Sequence, residues 1–335
     1  MDFTLDEEQS LLVETSRSLL AKECPTQLVR AHTDDPSAAD QLWKTLSEWT
    51  LLAGQPLVNL CLFLEQTGAF LAPGPFFATT ALFAPLLAAC EHELASAALA
   101  GEATGTVAIA SPSGNWAAHE GTLKSFVLEA DRVDYVAEVS LPGPTITIFE
   151  RPTVRQVPTL DSSRRIFDFD SSGASPAARP VTIDVRGLEV VVERATVALA
   201  AEMSGTTSWI FETTLAYAKA RHQFGRPIGS FQAIKHKLAN MSLLRQQAES
   251  AAYYAAMAID AENEDRHRAA HVAKVMAGDA ASLNLRDGMQ IHGGIGYTFE
   301  HDLHLYIRRA VLSDTLLGTP NWHRDQLADL IISRA

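Results

Sequence analysis

Cysteine is scarce in this chain: three in 335 residues, Cys24, Cys61 and Cys90, widely spaced and without a C-x-x-C pair. That excludes a thiolate metal site and a disulfide framework. With Met1–Glu8 lacking the basic and apolar regions of a signal peptide, it points to a reducing cytoplasm. Cys61 and Cys90 read as small apolar core filler. A long apolar run is missing too. The richest stretch, Phe76 to Ala89, is shorter than the roughly 20 residues needed to span a bilayer, and Glu91, His92 and Glu93 close it. Positive charge is short: Lys+Arg 27 against Asp+Glu 40 gives 27 − 40 = −13. An acidic chain is a poor polyanion binder, so nucleic acid and anionic membrane surfaces drop out as partners, while a local basic pocket for one phosphorylated ligand stays open. There is no G-x-S-x-G elbow and no Walker loop, which leaves hydrolase and NTPase readings without an anchor.

What is present is an ordinary globular composition, 47% hydrophobic and 20% charged, long enough for two or three domains. The first hundred residues read as helices. One is capped by Thr4 and entered at Asp6-Glu7-Glu8; others lie near Ala39–Leu52 and Leu57–Phe70, and a fourth follows the Pro73-Gly74-Pro75 break. From about Thr104 to Val185 glycine and proline rise and β-branched residues alternate with polar ones. Val107–Ile109, Lys124–Leu128, Thr145–Ile148 and Val181–Ile183 read as strands, Pro142-Gly143-Pro144 and Ser171-Ser172-Gly173 as turns. From about Leu188 apolar residues recur every three to four positions, as at Ile234, Leu238, Met241, Leu244 and Ala248. The fold class is α+β: an N-terminal helical domain over 1–101, a middle β-barrel-like domain over 102–186 and a C-terminal four-helix bundle over 187–335.

Two stretches carry chemistry. In Tyr217–Gln232, Arg221 offers a planar fork suited to phosphate, Phe224 a face for stacking, and Gln232 a bond to a ribose or base edge. The residues alone favour a plain helix–helix turn here. In Gln290–Asp302, Gly293 and Gly294 let backbone approach a ligand and offer N–H groups to a pyrophosphate. No strand precedes them, so this is not the dinucleotide fingerprint. The alternative is a helix break. His301 and His304 have a metal-like spacing, but no third cluster supports them and a polar helix start is the favoured reading. Asn263–Arg268 reads as a solvated inter-helix turn.

Taken together, these stretches resemble the acyl-CoA dehydrogenase family. The matches are Arg221/Phe224/Gly225, then Phe231/Gln232, then Gln290/Gly293/Gly294/Gly296/Tyr297. The opening Asp2-Phe3-Thr4-Leu5, the phrase Leu71–Pro75 and the helix–β–helix order also fit. The resemblance covers most of the chain and is closest to actinobacterial members, including those acting on steroid side-chain CoA esters. It implies FAD, an acyl-CoA substrate, α-proton removal by a base with hydride passing to the flavin, and an electron-transfer flavoprotein as acceptor. It also implies a tetramer in which Arg221, Phe224, Phe231, Gln232, Gln290, Gly293, Gly294 and Thr319 serve FAD, the two motif segments holding the adenosine end of a neighbour's cofactor.

The departures from that pattern are as telling. The family's usual base is a glutamate of a [YF]-E-G-T segment; here the segment is Leu316-Leu317-Gly318-Thr319, with Leu317 at the base position. Where some members place an alternative glutamate this chain has Ala195. Glu193 lies two residues earlier, about 200° around a helix, and reads more simply as an acidic first-turn residue. Glu300 is a second alternative base. In the flavin-cradling segment, Ala110-Ser111 replaces Thr-Glu. A P-x-x-x-G-G loop bordering the acyl cavity is absent between Trp49 and Gly68, which would widen that cavity. The resemblance therefore implies a chain that completes the FAD site of a catalytic homologous partner in a mixed oligomer. The alternatives are a self-sufficient dehydrogenase using Glu193 or Glu300, and a helical interaction protein without flavin.

Overall fold

The computed structural model describes residues 4–332; Asp2 and Phe3 of the opening motif lie outside them. The N-terminal region is helical: α1 (Glu7–Glu23), α2 (Thr26–Asp34), α3 (Asp40–Leu46), α4 (Leu57–Ala69), α5 (Ala84–Ala89) and α6 (Ala95–Leu99). The cap of α1 is Asp6 rather than Thr4: its carboxylate accepts from the Gln9 N–H at 2.8 Å while Gln9 reaches back to the Asp6 N–H, a reciprocal capping box. The second helical stretch is broken in three, with α3 between 3-10 turns at Pro36–Ala39 and Ser47–Gly54. After Pro73-Gly74-Pro75 the chain enters a π-helical turn, Ala78–Phe83, before α5.

The middle region holds seven strands: β1 (Gly105–Ala108), β2 (Leu123–Leu128), β3 (Tyr135–Ser140), β4 (Thr145–Glu150), β5 (Arg155–Val157), β6 (Ile166–Asp170) and β7 (Val181–Thr182). They form two small sheets, ordered β1-β3-β4-β7 and β2-β6-β5. The β1–β3 pair is parallel and β3–β4 is an antiparallel hairpin in which Ser140 faces Thr145, so Leu141–Pro144 is its loop and Gly143 takes a positive φ of 70°. Strands β3, β5 and β6 escaped the sequence reading.

The C-terminal region is built on α7 (Val185–Ala220), 36 residues long, capped by the Asp184 carboxylate on the Gly187 N–H at 2.8 Å. A two-strand hairpin, β8 (His222–Gln223) with β9 (Arg226–Pro227), leads to α8 (Gln232–Asp260), α9 (Arg266–His292), α10 (Leu303–Thr315) and α11 (Pro320–Ile332). Every residue of α7 from Ala195 to Thr207 is buried, the mark of a helix surrounded on all sides. Its small residues permit this. A methyl at Gly205 would sit 1.8 Å from the Glu65 carbonyl oxygen, and one at Gly68 1.9 Å from that of Glu202, so α4 and α7 cross backbone to backbone through two glycines.

Glu202 lies inside that buried stretch and is matched by arginines from elsewhere. Arg164, just before β6, binds it at 2.5 Å, and Arg309 of α10 approaches at 3.8 Å. Arg309 also donates to Asp161 at 2.6 Å and to the Ser163 hydroxyl at 2.8 Å. This buried network ties the β region to the bundle.

Candidate functional site

A cavity of about 390 Å³ opens between the β region and the first turns of α7 and α9. Its walls are mostly apolar, with Trp116, Leu188, Val192 and Trp322 among them, and Leu317 lies in the lining. Among the described residues, none before Ile109 lines it. The N-terminal helices therefore do not border this space, and the shortened Trp49–Gly68 connection does not widen it; there Trp49 stacks on Phe63 at 5.0 Å.

Glu189, Thr196 and Gln326 line the cavity, and its other polar groups form two hydrogen-bonded sets. Glu193 accepts from His267 Nδ1 at 2.6 Å and pairs with Arg266 at 3.3 Å. The hydrogen bond to Glu193 raises the His267 pKa above its ordinary value. Asn263–Arg268 is a largely exposed turn leading into α9, as its polar run suggested, but from it His267 also lines the cavity. One turn further along α9, His271 Nδ1 meets His323 Nδ1 at 2.7 Å, and His323 Nε2 meets the Leu317 carbonyl at 2.9 Å. Burial holds His271 down at about 4, and burial with the neighbouring His271 holds His323 down at about 3. Both are neutral at physiological pH. Leu317 is 2% exposed and sits at a positive φ of 56°, ahead of Gly318 at 95°. A methyl on Gly318 would strike Trp322 at 2.6 Å. That loop is shaped to present the Leu317 carbonyl to His323.

The two motif segments lie at the other end of the bundle. α7 and α9 run parallel, because Glu193 meets His267 near their starts while Tyr217 stacks on His292, 4.6 Å between ring centroids, near their ends. That stacking, with Ala218, Leu238, Met241 and Ile291 packed nearby, brings the Arg221 and Gly293 segments together. From Glu193 to Arg221 is 221 − 193 = 28 residues, roughly 42 Å at 1.5 Å per residue, and from His271 to Gly293 is 22 residues, roughly 33 Å.

The family model for "Acyl-CoA dehydrogenase, C-terminal domain" matches residues 186–332. Acyl-CoA dehydrogenase IpdE2 of Mycolicibacterium smegmatis is 32% identical over 97% of this chain and 98% of its own length. The chain belongs to the acyl-CoA dehydrogenase family. Among solved structures, that of the Tcur3481-Tcur3483 steroid ACAD G363A variant superposes with a TM-score of 0.87 at 25% identity, covering 98% of this chain and 99% of that one. The ChsE4-ChsE5 complex from Mycobacterium tuberculosis shares the fold, with a TM-score of 0.88 at 20% identity over 99% of each chain. The family is one of flavoprotein oxidoreductases that work with FAD.

The acyl-CoA dehydrogenase motif end fits such a cofactor. Phe224 is 91% exposed at a positive φ of 53°, an aromatic face projecting with no core behind it. Arg221, Gln232 and Gln290 are exposed. The Arg221 side chain forms no ion pair among the described residues, so its guanidinium is available to a phosphate. Phe231 is half-buried beneath Arg226, whose guanidinium lies 4.1 Å from its ring centroid. Gly294 is the most telling residue. Its φ is not positive and a methyl there would meet nothing within 4 Å, so neither backbone conformation nor packing within this chain requires glycine. Gly293 does take a positive φ, 63°, again facing open space.

The cavity end fits less well. Ala110 is fully buried, and the Ser111 hydroxyl is engaged with Ser113 at 2.8 Å and the Asn115 N–H at 3.3 Å. Thr319 is spent at the start of α11, its hydroxyl accepting from the Trp322 N–H at 3.2 Å. Glu300 is exposed and outside the cavity lining. His301 Nδ1 accepts from the Leu303 N–H at 3.1 Å and His304 Nδ1 bonds the His301 carbonyl at 2.8 Å, so both serve the start of α10. Sequence reasoning missed Trp116, His267, His271 and His323. The i, i+4 spacing of His267 and His271 was the one visible signal that they share a helix face.

Proposed function

We propose that this chain is a subunit of a mixed, FAD-dependent acyl-CoA dehydrogenase, in which it completes the FAD site of a catalytic homologous partner. One observation carries this reading: Arg221, Phe224 and Gln290 with Gly293-Gly294 stand exposed at the bundle end opposite the chain's own cavity. The separation exceeds the reach of one dinucleotide cofactor, so these residues serve a site on another subunit. Arg221 would hold a phosphate, Phe224 would stack, Gln232 and Gln290 would bond polar edges, and the Gly293-Gly294 backbone would approach the pyrophosphate. When bound, FAD supplies a two-electron acceptor for the β-hydrogen of an acyl-CoA thioester.

The unlike partner is inferred from Leu317. An aliphatic side chain at the base position cannot accept the α-proton, so the chain's own cavity lacks the family's usual base and a partner must bring it. The ChsE4-ChsE5 name shows that chains of this fold pair with differently named ones. A bulky acyl group of steroid side-chain type is the substrate class suggested by the steroid ACAD relative, with an electron-transfer flavoprotein as acceptor. A second reading makes the chain self-sufficient, with Glu193 as base. Its support is that Glu193 lines the cavity; against it, that carboxylate is already held by His267 and Arg266.

The test is flavin content by visible absorbance, on the chain purified alone and after co-expression with a homologous subunit. Little flavin alone and about one FAD per pair of unlike chains is the expected result. One FAD per subunit in the chain alone, with turnover of an acyl-CoA that Glu193→Gln abolishes, would establish the second reading instead.

A further inference from the structure

The hydrogen-bond chain running out of Leu317 has a chemical direction. A carbonyl oxygen only accepts, so the 2.9 Å contact between it and His323 Nε2 requires His323 to carry its proton on Nε2. In a neutral imidazole the other nitrogen is then a bare acceptor. The His271 Nδ1 atom, 2.7 Å from His323 Nδ1, must therefore be the donor. It follows that His271 holds its proton on Nδ1 and carries a lone pair on Nε2. Nε2 makes no hydrogen bond among the described residues, and His271 lines the cavity. A fixed backbone carbonyl two side chains away thus sets the polarity of an atom in the cavity wall.

A nitrogen fixed as an acceptor suits a ligand that brings a donor. Its surroundings narrow the class further. The lining is predominantly apolar, with Trp116, Val192, Leu317 and Trp322 contributing, and the volume of about 390 Å³ suits a compact hydrocarbon skeleton. The Trp116 indole N–H is buried without a hydrogen-bond partner among the described residues. The buried charge, Glu193, pairs with His267 and Arg266, and the remaining charged lining residue, Glu189, lies at the solvent-exposed rim, so the interior of the cavity offers no free charge to match an ionic ligand. We propose that this cavity is a binding site for a neutral, largely apolar molecule bearing a hydroxyl group, and that His271 Nε2, held as an acceptor by the Leu317–His323 relay, selects for that hydroxyl. His271 is a specificity-determining residue in this site, and His323 positions its proton. The site belongs to the chain's own cavity and does not depend on the partner reading.

The experiment uses the purified full chain and a pair of probes, 2-naphthol and 2-methoxynaphthalene, compared by isothermal titration calorimetry. They share a ring system and an oxygen, but only the first donates a hydrogen bond. The expected result is that 2-naphthol binds about tenfold more tightly, the weight of one buried hydrogen bond. His271→Phe removes that preference while 2-methoxynaphthalene still binds. His323→Phe shrinks it, because the tautomer is no longer held. Independently of any variant, long-range proton–nitrogen NMR spectra of the labelled chain show His271 protonated on Nδ1. Equal affinity for the two probes, no binding of either, a preference that survives His271→Phe, or His271 protonated on Nε2 would each overturn the proposal. Failure of the partner reading shows up separately, as flavin bound by the chain alone.

Discussion

Gly294→Ala separates what this chain needs for itself from what it does for another. A methyl at Gly294 meets nothing within 4 Å and the residue's φ is not in the left-handed region, so the folded chain accommodates alanine without strain. Alanine also restricts the unfolded chain more than glycine does, worth about 0.4–1 kcal/mol in favour of folding at a compatible site. The chain alone should therefore melt at an unchanged or slightly higher temperature, a rise of no more than about 2–4 °C. In the proposed assembly the same methyl would stand where the partner's cofactor approaches the backbone. Overpacking of that kind costs about 1–3 kcal/mol, or roughly 5- to 150-fold in FAD affinity. The assay is paired: thermal melting of the isolated chain, and FAD retained by the co-expressed assembly after gel filtration. A variant assembly that keeps its full FAD would refute the placement of Gly294 against the cofactor. A variant chain that melts well below the parent would show that the glycine serves the fold instead.

Three further outcomes follow from the packing and the charges. Gly205→Ala pushes a methyl to 1.8 Å from a backbone oxygen of α4, and since backbone cannot swing aside, urea unfolding should show a loss of at least about 1–3 kcal/mol; a change near zero would refute the glycine-to-glycine crossing. Arg309→Met leaves Asp161 without its 2.6 Å partner in a buried site, a loss of about 3–5 kcal/mol on the same assay, and a neutral result would mean the network is hydrated. Pairing with Glu193 raises the His267 pKa above 6.5, so protonated His267 stabilises the folded chain below that pH and the contribution fades as pH rises through the raised value. Glu193→Gln should accordingly cost more stability at pH 6 than at pH 9, and an equal loss at both would refute the pairing.

The fold was largely legible because its signals are local. Apolar spacing of three to four residues identified the long helices, Pro142-Gly143-Pro144 marked the turn that precedes β4, and the break before α8 followed from glycine and proline at positions 225–229. Strands β3, β5 and β6 were missed because β3 is buried along four successive positions, so alternation is lost, and β5 is only three residues long. The capping residue of α1 was misplaced by two positions because Thr4 and Asp6 both cap well, and only the reciprocal bond with Gln9 distinguishes them.

What the sequence by itself determined is the family and the residue types of the motifs: Arg221, Phe224, Gln290, Gly293 and Gly294 are recognisable as a spaced set, and Leu317 as an aliphatic residue where a carboxylate is usual. Tertiary structure alone decided which of these share a site. It placed the motif set and the cavity at opposite ends of two parallel helices, and it drew His267, His271 and His323 to the cavity wall beside Glu193. The physical reason is range. Helix periodicity and turn chemistry act over a few residues and are written in order along the chain, whereas His271 meets His323 across 323 − 271 = 52 residues, a contact that exists only once α9 and α11 have packed.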